Sequence, residues 1–313
     1  MHPLRVKFER ELKIRGRSER TIHSYVASVR ALSLHYHNRS PERISHEEIR
    51  DWLLHLRVAR RLSASSLNVA VNAVRAFHAL VLGRDPAAAI RGVPHCKRAT
   101  TRAEVYALSE ITALLAAAPV GRDRAFLSTV YACGLRLDEA RHLQIADLDV
   151  PRAQLRVRRG KGCKERVLPL PASLLALLRD YWRRERRHRP DYFPDAKNAW
   201  LFAGKIPGRP LSKGTAQNIY LRAVRASGVK RKKGIHTLRH SFATHHLEGR
   251  VEITAVQRML GHTSLTTTAR YLHVTAGRLD RIVSPLDLLA APPPFPAAPP
   301  SPAAPAPTAL PPT

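Results

Sequence analysis

The stretch LRVRRGKGCKERVLPL (155–170) alternates apolar and basic side chains on both sides of a Gly-Lys-Gly turn. This period-2 pattern predicts a β-hairpin with Gly160–Lys164 at its tip. The apolar spacing on either side of it is helical. Upstream, Ser109 is the expected cap of a helix reaching about Ala118. Further helices are expected over 123–133 and, after a break at Gly134, over Leu137–Leu143. Downstream, helices are predicted over 172–189, 213–227, 237–248, 252–260 and 265–273. The segment 104–290 is therefore mainly α with a small β-sheet, an α+β arrangement.

The first 85 residues read as helix throughout. Ser18 can cap a helix to His37 carrying Ile22, Tyr25, Val26, Val29 and Leu32. Ser45 and Glu48 form an S-x-x-E capping box before Ile49, Trp52, Leu53 and Leu56. Ser63 opens a third helix with Leu67, Ala70, Val71, Val74, Phe77 and Val81, ended by Gly83. With a helix near 3–15, residues 1–85 form a four-helix unit. Residues 86–103 lose this periodicity and read as an exposed basic linker. Residues 291–313 hold 11 of the 24 prolines, no charged residue, and too little to build a core.

Charge narrows the function classes. The 313 residues carry 53 Lys+Arg against 24 Asp+Glu, a formal +29. Residues 1–100 account for +11 and residues 101–290 for +18. Charge of this sign and size points to a polyanion, and nucleic acid is the usual one. Three cysteines, Cys96, Cys133 and Cys163, form no C-x-x-C pair and predict reduced thiols in a cytoplasmic, nucleoid-associated chain. No apolar run approaches the ~18–20 residues that span a bilayer, and the first residues lack an apolar signal core. No membrane association is expected.

A set of polar residues interrupts the apolar pattern after residue 130. Arg136 stands at the entry to a short helix, and Lys161 at the hairpin tip. His236 and Arg239 share one helix face, His262 follows Gly261, and Tyr271 comes nine residues later. Each type has a use on a phosphodiester. Two arginines can bind non-bridging oxygens and stabilise the charge of a five-coordinate phosphorus. A lysine can protonate a leaving alkoxide, histidines can accept or share a proton, and a tyrosine can be the nucleophile. Singly, each has a plainer reading: a solvated arginine, a turn lysine, a capping histidine, a half-buried helix tyrosine. The ordered set carries the inference. His236, His240, His245 and His246 show no H-E-x-x-H, and no cysteine lies near them, so no metal and no cofactor is expected. His240, His245 and His246 read as helix surface or core polar groups. Lys97 and Arg98 in the linker, and Lys230, Arg231, Lys232 and Lys233 before His236, are candidate phosphate contacts. The run RRERRHR (183–189) reads as a solvated helix face.

The stretches YACGLRLDEARHLQIADLD (131–149), RGKGCKERVLPL (159–170), HTLRHSFATHHLE (236–248) and MLGHTSLTTTARYLHV (259–274) resemble the tyrosine recombinase, or phage integrase, family. RSERTIHSYVASVRAL (17–32) resembles the family's SAM-like core-binding domain. The resemblance, closest to Xer-like and integron-like members, covers about residues 4–285. It implies catalytic roles for Arg136, Lys161, His236, Arg239, His262 and Tyr271, with Glu139 supporting the site. It also implies a site-specific recombinase that forms a 3′-phosphotyrosyl bond, passes through a Holliday junction, and needs neither ATP nor metal. Double-stranded DNA is the implied partner, and the segment 275–290 is expected to dock on a neighbouring protomer in a four-protomer synapse. Two alternatives share the charge and helices: a type IB topoisomerase that relaxes DNA, and a non-catalytic DNA-binding protein.

Overall fold

Serines start three of the four N-terminal helices. Ser18 Oγ accepts from the Thr21 N–H (3.3 Å), Ser45 Oγ from Glu48 (3.2 Å) and Ser63 Oγ from Ser66 (3.2 Å). Each satisfies a donor that the helix itself leaves unpaired. Glu48 reaches back to the Ser45 N–H at 2.9 Å and completes the capping box. In this computed structural model the described residues are 3–85, 96, 104–158, 165–188, 199–269 and 271. The chain divides into two compact units, Met1–Thr101 and Arg102–Thr313.

The first unit contains α1 (Pro3–Ile14), α2 (Glu19–His35), α3 (His46–Val58) and α4 (Ala64–Val81). Their apolar faces meet in two clusters. Leu32, Ile49, Trp52, Leu67 and Val71 form one, and Phe8, Leu12, Ile22, Val29 and Phe77 form the other. Phe8 and Phe77 meet edge to face at 5.4 Å, the arrangement favoured by ring quadrupoles. Gly83 follows α4 at φ +64°, as expected of a helix-ending glycine. One residue of the expected linker is not free. Asn68, buried on α4, donates to the Cys96 carbonyl (3.0 Å) and accepts from the Cys96 N–H (2.9 Å). The rest of 86–103 lies outside the described residues.

The second unit contains α5 (Leu108–Ala117), α6 (Arg122–Ala132), α7 (Leu137–Arg141), β1 (Leu148–Asp149), β2 (Gln154–Val157), β3 (Arg166–Pro169), α8 (Ala172–His188), α9 (Lys213–Ser227), α10 (His236–Glu248), α11 (Ile253–Leu260) and α12 (Leu265–Ala269). The strands form one antiparallel sheet in the order β1-β2-β3. Its register places Leu155 opposite Leu168, and Val157 opposite Arg166. Paired residues of an antiparallel ladder point to the same face. Arg166 therefore stands on the buried face, beside the buried Val157. The core beneath is built from Tyr106, Leu114, Phe126, Leu127, Leu155, Leu168, Tyr181, Phe202, Tyr220 and Leu238.

One strand is unexpected and one local expectation is corrected. β1 is a two-residue strand, too short to show alternation. The N-terminus of α5 is not capped by Ser109, which is exposed inside the helix. The Glu110 carboxylate instead accepts from the Ala107 N–H at 2.7 Å. Among the described residues no helix is long and apolar enough to cross a membrane.

The caps can be compared directly. Ser45→Ala is expected to lower stability by about 1 kcal/mol, whereas Ser109→Ala should stay within about 0.5 kcal/mol of the parent. Urea unfolding of the full chain reads both, and an equal loss for the two would contradict this assignment.

Candidate active site

The site is organised around Glu139, in the first turn of α7. Its carboxylate accepts from the Arg136 N–H at 2.8 Å, and so caps the helix from within. It also accepts from the Arg136 guanidinium at 2.7 Å. From β3, Arg166 donates to both carboxylate oxygens, at 3.0 and 2.7 Å, a bidentate pair. The third guanidinium is that of Arg239 on α10, 3.7 Å from the same carboxylate. Glu139 is nearly sealed from solvent, its side chain 3% exposed. Burial alone would raise its pKa. The hydrogen bonds and charge of Arg166, then those of Arg136, outweigh burial and hold it down at about 2.

The arginines are tied in turn to backbone carbonyls. Arg166 Nε donates to Met259 O at 2.8 Å. Arg239 donates to Leu260 O (2.6 Å) and to Gly134 O (2.7 Å). Met259 and Leu260 end α11, where carbonyls lack helical partners and the helix dipole is negative, so cations are favoured there. Gly134 has φ +54°, and a Cβ there would lie 2.4 Å from the Phe242 ring. Only glycine lets this carbonyl approach Arg239. Burial and the charge of Arg136 lower Arg239 to about 9, which still leaves it a cation at neutral pH. Three guanidiniums around one carboxylate leave a local charge of +2. Arg136 keeps a quarter of its side chain exposed, so part of that charge faces outward.

His262 follows the left-handed Gly261 that ends α11. Its Nε2 lies 3.1 Å from Arg239 Nη2, and its Nδ1 lies 2.9 Å from Thr268 Oγ1. A guanidinium only donates, so Nε2 accepts and the proton sits on Nδ1. Burial, then Arg239 and Arg136, push its pKa down to about 4, which agrees with that neutral tautomer. His236 opens α10 with an exposed edge. Partial burial of its ring, then Arg239 and Arg136, keep it below the ordinary histidine value. Tyr271 is buried, and its hydroxyl lies 2.8 Å from His240 Nδ1.

Arg136, Glu139, Arg239 and His262 thus form one cluster joined by hydrogen bonds and an ion pair, with His236 near enough to feel both arginines. Tyr271 joins through His240, the neighbour of Arg239. Lys161, Lys97, Arg98 and Cys163 lie outside the described residues, as do 275–290 and the tail 291–313. Lys230, Arg231 and Lys233 are exposed before α10. Lys232 is turned inward: its ammonium donates to Val105 O and Glu110 (3.2 Å) and lies 4.7 Å from the centre of the Tyr106 ring. Sequence reasoning missed Arg166, His240 and Thr268. The signal for Arg166 was available. It is a basic residue two before Leu168, on the face that the alternation turns inward.

The Glu139 linkage has a definite sign. Its folded pKa lies below its unfolded one, so the stabilisation is complete above about pH 4.5 and is lost as pH falls toward about 2. The contribution is roughly 3 kcal/mol. Glu139→Gln, which leaves buried guanidiniums uncompensated, should cost about 3–5 kcal/mol at neutral pH. It should also flatten the acid limb of stability in urea titrations between pH 5 and 2. An unchanged acid limb would remove Glu139 from this role.

Known proteins share this architecture. The phage integrase family matches residues 104–278, and the phage integrase N-terminal SAM-like domain matches residues 4–87. A Sinorhizobium fredii protein described as a candidate integrase/recombinase is 33% identical over 298 residues, covering 95% of this chain and 92% of the relative. Tyrosine recombinase XerA of Pyrococcus furiosus is 33% identical over 233 residues, covering 74% and 77%. The solved structure of XerH recombinase bound to palindromic difH substrate, in a post-cleavage complex, superposes with TM-score 0.69 at 22% identity. It covers 83% of this chain and 78% of that one, and supports the fold. With its matched domains, its relatives and its arginine cluster taken together, the chain belongs to the phage integrase family of tyrosine recombinases.

Proposed function

We propose that the protein cuts and rejoins DNA at a specific site, with Tyr271 as the nucleophile. The supporting observation is the cluster of Arg136, Arg239 and His262 around Glu139, with a buried tyrosine hydroxyl beside it. Its net positive charge suits a phosphodiester. The charge there rises from −1 toward −2 as a fifth oxygen adds, and fixed guanidiniums stabilise the second charge more than the first. Arg136 and Arg239 bind the non-bridging oxygens. Tyr271 attacks phosphorus, forms a 3′-phosphotyrosyl bond and releases a 5′ hydroxyl. Lys161, which falls between β2 and β3 in the sequence, protonates that leaving oxygen. His262 is held neutral between Arg239 and Thr268, and it fixes the arginine. The 5′ hydroxyl of a partner strand then attacks the phosphotyrosine. Bond energy is conserved, so the exchange requires no ATP.

Double-stranded DNA is the partner in this reading, and the basic charge of both units supports it. Exchange of both strands through a Holliday junction requires four protomers, and we assign the contact between them to residues 275–290. Lys97, Arg98, Lys230, Arg231 and Lys233 contribute phosphate contacts. Lys232 contributes less, because its ammonium already has protein partners.

Tyr271→Phe should bind duplex DNA as the parent does and form no covalent adduct on a nicked suicide duplex. The site for that duplex comes from sequencing DNA trapped on the chain in cells. An adduct persisting in the variant would force another nucleophile. Relaxation of supercoiled DNA lacking any site would favour the topoisomerase alternative. Duplex affinity should fall steeply between 50 and 200 mM salt, by about 10³-fold if six or more phosphates are contacted. A flat response would contradict the phosphate clamp. Removing 278–313 should weaken cooperative assembly and leave single-site binding intact, as read by gel shift. Normal four-protomer synapses would refute that docking role.

A further inference from the structure

His240 is the histidine that the structure places on the phenol. It follows Arg239 in α10, and its Nδ1 lies 2.8 Å from Tyr271 Oη, with ring centroids 5.6 Å apart. Tyr271 is 4% exposed, so bulk water has little access to its hydroxyl. A buried phenol at neutral pH needs an acceptor before it can attack phosphorus, because its ordinary pKa is about 10. The nearby groups differ sharply in their ability to serve. The arginines only donate. His262 has both ring nitrogens engaged, Nε2 by Arg239 and Nδ1 by Thr268. Protonating it would set a cation against Arg239 and break that bond. His240 presents a ring nitrogen directly to the hydroxyl.

We propose that His240 accepts the proton of Tyr271 as the phenolic oxygen attacks, and returns it in the joining step. The inference rests on the recombinase reading above. During cleavage the Oη–P bond forms and the P–O5′ bond breaks. The phenolic proton passes to His240 Nδ1, and the departing 5′ oxygen takes its proton from Lys161. During joining a 5′ hydroxyl returns its proton to Lys161 and displaces the phenolic oxygen, and the His240 imidazolium gives its proton back to that oxygen. No oxidant, metal or external base enters the balance. The bond also orients the hydroxyl, so positioning and proton transfer must be separated by experiment.

Two variants separate them. In His240→Ala the acceptor is gone. In His240→Asn an amide takes the place of Nδ1 and can hydrogen-bond the phenol, but it cannot take up a proton. Single-turnover adduct formation on the nicked suicide duplex should slow about 100-fold or more in both, with duplex affinity unchanged. Near-parental rates in His240→Asn would show that the hydrogen bond alone suffices, and would overturn the proposal. A near-parental rate in His240→Ala would do the same. A 5′-bridging phosphorothiolate supplies a leaving group that needs no proton. It should rescue Lys161→Ala and leave both His240 variants slow. Rescue of the His240 variants would place the histidine on the leaving-group side and reject the assignment. Tyr271→Phe is run alongside. An adduct surviving in it would overturn the recombinase reading itself and the role of His240 with it.

Discussion

One buried carboxylate holds the site together. Glu139 is taken out of water, a step that costs several kcal/mol for an isolated ion. It stays ionised because guanidiniums from three chain segments surround it: Arg136 at the entry to α7, Arg166 on β3 and Arg239 on α10. The dependence is mutual. Without Glu139 the three cations would repel one another at close range in a poorly solvated place. With it, they are fixed at the separations that its two oxygens allow. Arg166 adds a mechanical link, because its Nε also reaches the end of α11 through Met259. The hairpin, α7 and the turn bearing His262 are thus referenced to one anion. Charge placed this way needs little reorganisation when a phosphate arrives, which is the advantage of a preorganised site.

The same cluster gives two histidines opposite tasks. His262 lies inside the ring of cations, where its protonation is suppressed and its nitrogens are consumed in holding Arg239 and Thr268. His240 lies one residue beyond Arg239, on the side where Tyr271 packs. Side chains of adjacent helix residues point about 100° apart. A single turn of α10 therefore sends Arg239 toward the carboxylate and His240 toward the phenol. In the proposed reaction the helix thus separates the group that stabilises charge from the group that moves a proton.

Helix starts were legible in the sequence because caps are local. Ser18, Ser45 with Glu48, and Ser63 each act on a backbone N–H three residues away. The hairpin was legible because a two-residue period survives in any strand with one buried face. Ser109 misled because a carboxylate at Glu110 can do from inside the helix what a hydroxyl does from outside. Arg136, His236, Arg239, His262 and Tyr271 stood out in the sequence as an ordered polar set, and Glu139 only through the family resemblance, but their connections were not legible. Arg239 bonds a carbonyl 105 residues earlier, and Arg166 bonds one 93 residues later. No periodicity encodes such contacts, since they depend on how elements pack. His240 escaped for the related reason that HTLRH contains two histidines, and only packing shows which meets the tyrosine.

The formal charge of +29 therefore has two physically different parts. Among the described residues most lysines and arginines are exposed, where a polyanion can displace their mobile counterions. That part sets affinity and weakens with salt, because exposed charges are screened within about 8–10 Å. A smaller part, in Arg136, Arg166 and Arg239, is bound to Glu139 and to carbonyl oxygens, and counterions reach it poorly. Its field acts at contact distance on whatever occupies the open side of Arg136. Salt should thus govern how often DNA is held far more than how the held phosphate is treated. The division follows from burial: the side chain of Arg239 is 5% exposed and that of Arg166 9%, whereas Lys230, Arg231 and Lys233 are open to solvent.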